Sequence, residues 1–553
     1  MPPATVFTFI DAALSTRKPS EIVIGTVAAL LTINTLHALL KDGFLHKRLL
    51  KKCFAFARRV AAPIIRREVA KAASQITFPT ISGVPVYTAL PSVGVPADDV
   101  VQLATNLHNE LDIDYKKNRY FSGTVYHGGR EHTKLVNEVM EIYQWTNPLH
   151  SDVFGAVRKM EAEIVAMVVS LYHGECRADA CGALTTGGTE SIGMAMKSYR
   201  DWGRQKLGIE HPSVVLPITA HPAFDKAAQY YGMELVKVPV GDSGAVDPVV
   251  LEGYIRSDTV AIVGSAPTFP TGTVDPIDKL SDIALRYGIG LHVDACLGGF
   301  IVPFLAKAGF SQPIVDFRNP GVTTISCDSH KYGFAPKGTS VLMYSSKELR
   351  MFHFFAVAEW PGGIYCSPGA SGSRAGNVIA GSWAALISMG EAGYVDSCRR
   401  IVEAARTMIA GITALKYLRI LGTPVGSVFA FSSDLIDIFA MHAQLKLRGW
   451  VLNPLQFPSG IQFSVTLLQA NTEIANKFVQ DVNEVGNELM SEREAAIKNG
   501  SAPKIASNGG TLYGSQQRIP DRSVLNDVMK QYLNGYCSTD PPTKLGAEAK
   551  ENL

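Results

Sequence analysis

Apolar residues follow two alternating patterns between about Tyr115 and Glu391. Short apolar runs rich in β-branched residues are typical of strands buried on both faces of a sheet, and they occur in SVVLPITAH, TVAIVGSAP, GIGLHVDAC and VTTISC. Stretches with helical spacing of apolar positions separate these runs. This alternation favours a mainly parallel sheet covered by helices, so we predict a large α/β domain over residues 116–390.

The pattern changes after Gly390. A long helical pattern, GYVDSCRRIVEAARTMIAGITAL, is followed by strand-like runs in SVFAFSS and IQFSVTLL, which predicts a smaller α+β domain over residues 391–497. The stretch KNGSAPKIASNGG predicts a flexible linker at the start of a tail over residues 498–553. Residues 59–115 are predicted to be a connecting segment, because FPTISGVPVYTALPSVGVPADD is too rich in proline and glycine for a long helix.

Residues 22–40 form an uncharged run of 19 residues. A helix of that length would measure roughly 28 Å, close to the hydrocarbon thickness of a bilayer. Two basic residues precede the run, and seven follow it closely: Lys41, Lys47, Arg48, Lys51, Lys52, Arg58 and Arg59. The positive-inside rule then places the N-terminus in the lumen and the rest in the cytosol. We predict a transmembrane helix within an N-terminal segment 1–58; the alternative is a buried helix or one lying on the bilayer.

The amino-acid composition limits the classes of protein to which this chain can belong. The chain has 553 residues, 46% of them hydrophobic, which is enough to bury two or more domains. Its 52 basic and 50 acidic residues nearly cancel, so the overall charge does not favour nucleic acid. Its eight cysteines form no C-x-x-C pair, and no H-E-x-x-H occurs. We therefore expect no metal site, no disulfide framework and a reducing compartment.

Candidate chemistry gathers where the predicted strands end, the edge at which parallel sheets bind ligands. Gly187–Thr189 follows one strand-like run and opens a helical pattern, which suits a phosphate, although such a turn is more often only a turn. His221 ends another run, and alone it would be an ordinary core histidine. Asp294 ends a third, where a buried carboxylate needs a cationic or proton-donating partner. Lys331 follows a fourth, and a buried ammonium there is costly unless it takes part in chemistry.

These groups together suggest pyridoxal phosphate. A lysine amine can form an imine with its aldehyde, a carboxylate can keep the pyridine nitrogen protonated, an imidazole can stack on the ring, and glycine amides can hold the phosphate. The chain order of glycine turn, histidine, aspartate and lysine is that of fold-type I pyridoxal-phosphate enzymes, whose architecture is that of aspartate aminotransferase. We therefore predict this fold and this cofactor.

Longer motifs resemble those of one family. The chain is similar to sphingosine-1-phosphate lyases in SGTVY, NPLHSDVF, TTGGTES, TAHPAFDKAA, LHVDACLGGF, DSHKYGFAPKGTS, GGIYCSPGASGSRAG and LQFPSGIQFSVTLLQA, a resemblance that runs from about residue 20 to near residue 540. It implies a homodimer in the endoplasmic reticulum membrane with a cytosolic catalytic domain. It also implies cleavage of phosphorylated long-chain bases to a long-chain aldehyde and phosphoethanolamine in sphingolipid catabolism.

The resemblance further implies roles for single residues. Lys331 would form the imine, Asp294 would partner the pyridine nitrogen and His221 would stack on the ring. The cofactor phosphate would be held by Gly188, Thr189 and His330, together with Gly372 and Ser373 from the other subunit. The substrate phosphate would be bound by Lys337, Tyr126 and His150. Lys337 could instead be a solvated surface lysine, and the other two ordinary packing or capping residues. The general base stays open between Lys331, a tyrosine and the substrate phosphate.

Two other functions share some of these features. A pyridoxal-phosphate-dependent amino-acid decarboxylase shares the strand-end residues and the His-Lys pair, and it is the alternative function. It would explain neither the uncharged N-terminal run nor a second lysine placed like Lys337. A membrane-tethered scaffold without catalysis would not need the cofactor residues, all of which are present.

Overall fold

The computed structural model describes Ile81, residues 84–500 and residues 523–537. The predicted membrane helix at 22–40, its basic flank and the linker beyond residue 500 lie outside these residues. The chain divides into two compact units: Asp114–Ser515, which carries all the predicted site residues, and a unit formed by Met1–Ile113 and Gln516–Leu553. The finer domain boundaries given above stay predictions.

Helices open the described chain: α1 (Ala97–Leu111), α2 (Arg130–Ile142) and α3 (Gly155–Leu171). Strands and helices then alternate: β1 (Cys181–Thr185), α4 (Gly188–Lys206), β2 (Ser213–Pro217), α5 (Ala223–Tyr231), β3 (Glu234–Val238), α6 (Pro248–Glu252), β4 (Thr259–Ser265), α7 (Ile277–Tyr287), β5 (Gly290–Asp294), β6 (Val322–Cys327) and β7 (Ser340–Tyr344). The remaining elements are α8 (Lys347–Met351), β8 (Phe355–Val357), β9 (Tyr365–Ser367), α9 (Gly376–Thr413), β10 (Arg419–Leu421), β11 (Val428–Ser432), α10 (Ile438–Leu447), β12 (Asn453–Leu455), β13 (Gly460–Ser464), α11 (Thr472–Lys498) and α12 (Ser523–Tyr536).

Seven strands form the main sheet, in the order β1-β7-β6-β5-β4-β2-β3. Strand β7 runs antiparallel to both of its neighbours, whereas the four other pairings are parallel. The four apolar runs singled out in the sequence are β2, β4, β5 and β6. Helices α3, α4 and α7 pack on the sheet, which explains why these strands are apolar along nearly their whole length. The predicted mainly parallel α/β architecture is confirmed.

A second, antiparallel sheet follows in the order β10-β11-β13-β12. Phe478 of α11 packs edge-on against Phe429 and Phe431 of β11 and Phe463 of β13, so the helix covers one face of this sheet. The two predicted runs SVFAFSS and IQFSVTLL contain β11 and β13. The smaller α+β region expected after the main sheet is therefore present.

Helix α9 is, in the described part of the chain, the one helix long and apolar enough to cross a membrane. It is kinked at Gly390, whose φ of 55° departs from helical geometry. The helix packs against α2, α3 and α11, and it buries Ile401, Val402 and Met408 completely. Because these contacts lie within the unit Asp114–Ser515, we interpret α9 as a core helix of that unit.

Candidate active site

The carboxyl ends of the parallel strands border a cavity of about 290 Å³. It brings together four of the predicted site residues, which lie far apart in the sequence: Tyr126, His221, Asp294 and Lys331. A larger cavity of about 950 Å³, lined by Phe300 and Tyr394 among others, contains none of the predicted residues. The smaller cavity is therefore the candidate active site, because it combines a strand-end location with converging polar groups.

Lys331 is largely buried, and its Nζ lies 2.9 Å from Oδ2 of Asp328. Burial is the largest influence on its pKa and lowers it, but attraction to Asp328, together with Cys296 and Tyr126, outweighs burial and raises the pKa of Lys331 above its ordinary value. Asp328 is the buried partner, with only 2% of its side chain exposed. The sequence suggested that Lys331 lies beside Asp294; both line the cavity, but the direct ion pair is made with Asp328.

Asp294 ends β5 and is held by hydrogen bonds to its Oδ1. The backbone amide of Cys296 donates to this oxygen at 3.1 Å, and the hydroxyl of Ser326 donates at 3.3 Å. Ser326 lies on the adjacent strand β6, and its hydroxyl is 3.2 Å from Nε2 of His292. The chain of contacts from His292 through Ser326 orients the Asp294 carboxylate at the cavity edge.

His292 is fully buried between strands, with its Nδ1 2.7 Å from the hydroxyl of Thr324. Burial lowers the pKa of His292 to about 4, although the negative charge of Asp294 opposes this shift. The imidazole is therefore neutral at neutral pH. Since Ser326 donates its proton to Asp294, Nε2 of His292 must donate to Ser326 and Nδ1 must accept from Thr324.

The glycine turn at Gly187 and Gly188 packs against the residues that surround Lys331. A Cβ at Gly188 would lie 2.7 Å from Sγ of Cys296 and 2.9 Å from both carboxylate oxygens of Asp328, distances that real side chains do not adopt. A Cβ at Gly187 would lie 3.2 Å from the ring of His330. Glycine is required here because the backbone approaches these side chains closely. The same close approach leaves the amides of the first turn of α4, including Thr189, next to the cavity region.

Lys337 and Tyr126 are in direct contact. The ammonium of Lys337 lies 4.5 Å from the centroid of the Tyr126 ring, and it donates a hydrogen bond of 3.1 Å to the backbone carbonyl of His330. Partial burial and then the charge of Lys331 lower the pKa of Lys337, with Asp328 opposing. Burial raises the pKa of Tyr126 to about 12, so its phenol is protonated at neutral pH. A second cation therefore lies beside the cavity.

His221 lines the cavity and is exposed, so it is not the ordinary core histidine that its strand-end position alone would suggest. Its Nδ1 accepts a hydrogen bond from the amide of Ala223, which fixes the ring and leaves Nε2 free of hydrogen bonds within the described residues. Two residues earlier, the hydroxyl of Thr219 is buried in the cavity wall without a partner in the described chain. An unpaired buried hydroxyl is available to a bound ligand.

Of the seven predicted residues that do not line this cavity, Gly188, Thr189, His330 and Lys337 belong to the segments described above, and the remaining three are His150, Gly372 and Ser373. They belong to two loops that Asn147 joins, because its side chain donates to the Ser373 hydroxyl at 3.0 Å and accepts from the amide of Arg374 at 3.2 Å. The amide of His150 in turn donates to the backbone carbonyl of Asn147. The structure thus joins the two loops that carry these three residues, and none of the three is part of the cavity lining.

Sequence reasoning missed two features of the site. Asp328 stands between a strand and the His-Lys pair, so its position after VTTISC was a usable signal, equal to that of Asp294 after LHV. The opposite wall contains a buried polar network in which Asn453 donates to Ser122 and Gln462, and Gln462 donates to Ser464. No local pattern could have revealed that network, because Ser122 lies 340 residues from Gln462 along the chain.

The donor set fits pyridoxal phosphate. A lysine amine, a fixed carboxylate, an exposed imidazole and an unpaired hydroxyl border one cavity, and the glycine turn lies against the same residues. The fold and the site together define a pyridoxal-phosphate-dependent enzyme. In agreement, residues 146–432 match the pyridoxal-dependent decarboxylase conserved domain.

Comparison with known proteins narrows the class. The chain is 37% identical to sphingosine-1-phosphate lyase 1 of Rattus norvegicus over 97% of this chain and 93% of the relative. It is 40% identical to the sphingosine-1-phosphate lyase of Saccharomyces cerevisiae over 82% of this chain and 76% of that protein. A solved sphingosine-1-phosphate lyase from Burkholderia pseudomallei has a TM-score of 0.72 at 38% identity, covering 76% of this chain and 98% of its own. The chain belongs to the sphingosine-1-phosphate lyase family, as its motifs predicted.

A more distant likeness concerns the fold alone. Glutamate decarboxylase of Lactobacillus brevis has a TM-score of 0.63 at 21% identity, covering 74% of this chain and 96% of its own. The predicted fold type is therefore confirmed, and the predicted cofactor is confirmed by the family-domain match and the lyase relatives given above.

Proposed function

We propose that this protein is a carbon–carbon lyase that cleaves phosphorylated long-chain bases to a long-chain aldehyde and phosphoethanolamine. The observation that carries the proposal is the pair of lysines at one cavity. Lys331 lines it, and Lys337 lies against Tyr126 at its edge. A cofactor reaction needs the first lysine only, whereas a phosphorylated substrate also needs a counter-charge. Family membership supports the same substrate class.

When bound, pyridoxal phosphate supplies a ring that withdraws electrons from a breaking carbon–carbon bond. We assign Lys331 to attach it and His221 to stack on its ring. Asp294 is assigned to keep the pyridine nitrogen protonated. Both described hydrogen bonds to Asp294 fall on Oδ1, so Oδ2 remains for the ring nitrogen.

Two phosphates need binding groups in this proposal. Gly188, Thr189 and His330 would hold the cofactor phosphate, together with Gly372 and Ser373 of the partner subunit. Lys337 and Tyr126 would bind the substrate phosphate, one as an ammonium and the other as a protonated phenol. Since Asn147 links the His150 loop to the Ser373 loop, we assign His150 to the site of the partner subunit as well. This arrangement requires a homodimer.

The N-terminal run gives the proposed location. An uncharged stretch at residues 22–40 followed by basic residues fits a single-pass anchor in the endoplasmic reticulum membrane, with a luminal N-terminus and a cytosolic catalytic unit. A lyase acting on long-chain bases benefits from such an anchor, because its substrate partitions into the bilayer.

The proposal is tested by assaying the purified chain with a phosphorylated long-chain base and, separately, with glutamate and tyrosine. We expect long-chain aldehyde from the first and no carbon dioxide from the others; carbon dioxide without aldehyde would instead establish the amino-acid decarboxylase. Lys331→Ala should remove both the yellow colour of the bound cofactor and turnover. Lys347→Gln is a matched control, since Lys347 pairs with Asp179 away from the cavity. A borohydride-reducible cofactor link that persists in Lys331→Ala would show that another lysine carries the cofactor.

A further inference from the structure

The contacts of Asp328 are unusual for a buried aspartate. Its side chain is 2% exposed, and Oδ2 lies 2.9 Å from Nζ of Lys331 and 3.5 Å from Nε2 of His330. Its other oxygen, Oδ1, is buried and has no hydrogen-bond partner in the described chain. A Cβ on Gly188 would lie 2.9 Å from both oxygens, so the glycine turn passes close to the carboxylate. The carboxylate is therefore buried between the glycine turn and the segment of His330 and Lys331.

Two aspartates at helix starts are held differently from Asp328, whereas Asp481 resembles it in being buried and ion-paired. Asp247 and Asp437 each accept two backbone N–H groups at the start of a helix, which is the usual way of stabilising a carboxylate within a turn. The described hydrogen bonds include none from a backbone N–H to Asp328. The basic side chains within ion-pair distance of it in the described chain are those of Lys331 and His330. Burying a carboxylate that has an ion pair but no backbone hydrogen bonds costs folding free energy, which is unfavourable unless the ion pair itself is needed.

We propose that Asp328 is a positioning residue that holds the Lys331 amine in a fixed place, as an ammonium, whenever Lys331 is not linked to the cofactor. The inference rests on the proposed use of Lys331. Each turnover must release the lysine amine and take it up again, and Asp328 is the carboxylate within ion-pair distance of that amine. An ammonium has no lone pair with which to attack the cofactor, so by holding the freed amine in this form Asp328 limits its premature return to the cofactor.

Several other ionisable groups face Lys331. They are Cys296 and Asp294 at the end of β5, Tyr126 from the segment before α2, His221 after β2, and His330 and Lys337 on its own loop. Tyr126 and Cys296 are neutral at neutral pH, because burial raises the pKa of both groups. Lys337 repels the Lys331 charge. Asp328 is thus the charge that keeps Lys331 protonated in spite of its burial.

The first test needs no substitution. The full-length chain, freed of cofactor, is methylated with formaldehyde and cyanoborohydride across a pH series, and modification of Lys331 and Lys337 is measured separately by peptide mass spectrometry. The accessibility of a lysine multiplies its methylation rate by the same factor at every pH. The pH midpoint, at which the rate is half-maximal, is therefore independent of accessibility and can be compared between the two lysines. We expect Lys331 to react at a distinctly higher midpoint than Lys337. A midpoint for Lys331 equal to or below that of Lys337 would overturn the proposal.

The second test is Asp328→Asn, which keeps the shape and removes the charge. Loss of an opposite charge within ion-pair distance should lower the Lys331 midpoint by ~1–3 pH units. Asp481→Asn is the matched control, because Asp481 is also buried and ion-paired, with Lys477 and Arg448, but on α11. It should leave the Lys331 midpoint unchanged. An unchanged midpoint in Asp328→Asn would refute the inference, and if that variant does not fold, the parent profile alone decides.

These measurements separate this inference from the proposed function. The midpoints report on amine protonation and need neither substrate nor turnover. If the protein cleaves phosphorylated long-chain bases but the pH midpoint of Lys331 is not elevated, only the role assigned to Asp328 is refuted. If the midpoint is elevated but the protein has no lyase activity, the proposed function is refuted and the role of Asp328 stands.

Discussion

Replacing Lys337 by glutamine removes the cation proposed to recognise the substrate phosphate. A lysine ammonium has three N–H donors, and in the described chain one of them is used, on the carbonyl of His330. Two donors are therefore available to a ligand phosphate. Losing one hydrogen bond to a charged group costs about 1.5–3 kcal/mol, which corresponds to a roughly 10- to 150-fold loss of kcat/KM.

The assay compares a phosphorylated long-chain base with its unphosphorylated counterpart. Lys337→Gln should lose kcat/KM toward the phosphorylated base by the stated factor, while the absorbance of the bound cofactor stays unchanged. Activity toward the unphosphorylated base should change little, because that base cannot use the ammonium. Lys337→Arg should recover part of the lost activity, since it restores the charge.

Two outcomes would refute this reasoning. If Lys337→Gln loses the cofactor absorbance, Lys337 serves the cofactor phosphate instead of the substrate phosphate. If both bases lose activity equally, Lys337 acts on the shared chemistry of the site, for example through the charge it presents to Lys331. The Lys347→Gln variant sets the baseline, because it removes a lysine charge from the surface helix α8.

Four further predictions concern Asp294, two buried histidines, the membrane topology and the N-terminal segment. Asp294→Asn should fold and retain cofactor, because an amide oxygen can still accept from Ser326, but it should lose most turnover; near-normal turnover would count against its role at the ring nitrogen. Burial lowers the pKa of His292 and His353 to about 4, so between pH ~6.5 and 4 the unfolded chain binds more protons and the melting temperature should fall as the pH drops through that window. A melting temperature constant from pH 7 to 4.5 would contradict this. Asn499 should stay unglycosylated, and protease added to intact microsomes should digest the catalytic unit; a protected catalytic unit would reverse the proposed orientation. Removal of residues 1–58 should leave a soluble, active enzyme.

Much of the site was predictable because its residues are tied to local features of the chain. Asp294 is the last residue of β5, and Lys331 follows β6 by four positions. Both strands are apolar runs that the sequence reveals directly, and parallel neighbours must present their carboxyl ends at one edge. The predicted meeting of Lys331 with Asp294 and His221 around one cavity therefore needed no knowledge of long-range packing. The glycine turn was recognisable for the same reason.

Other features depended on which strands became neighbours. Ser326 connects His292 to Asp294 only because β6 pairs with β5 in register, placing Asp294 opposite Ser326. The Asn453–Gln462 wall faces the cavity because the second sheet packs next to a segment more than 300 residues earlier. Local propensity carries no information about such pairings. Thus the sequence alone determined the strands, their terminal chemistry and the family. Sheet order and packing decided that Ser326 supports Asp294 and that His150 lies with Ser373, because these contacts join segments that are distant along the chain and share no sequence pattern.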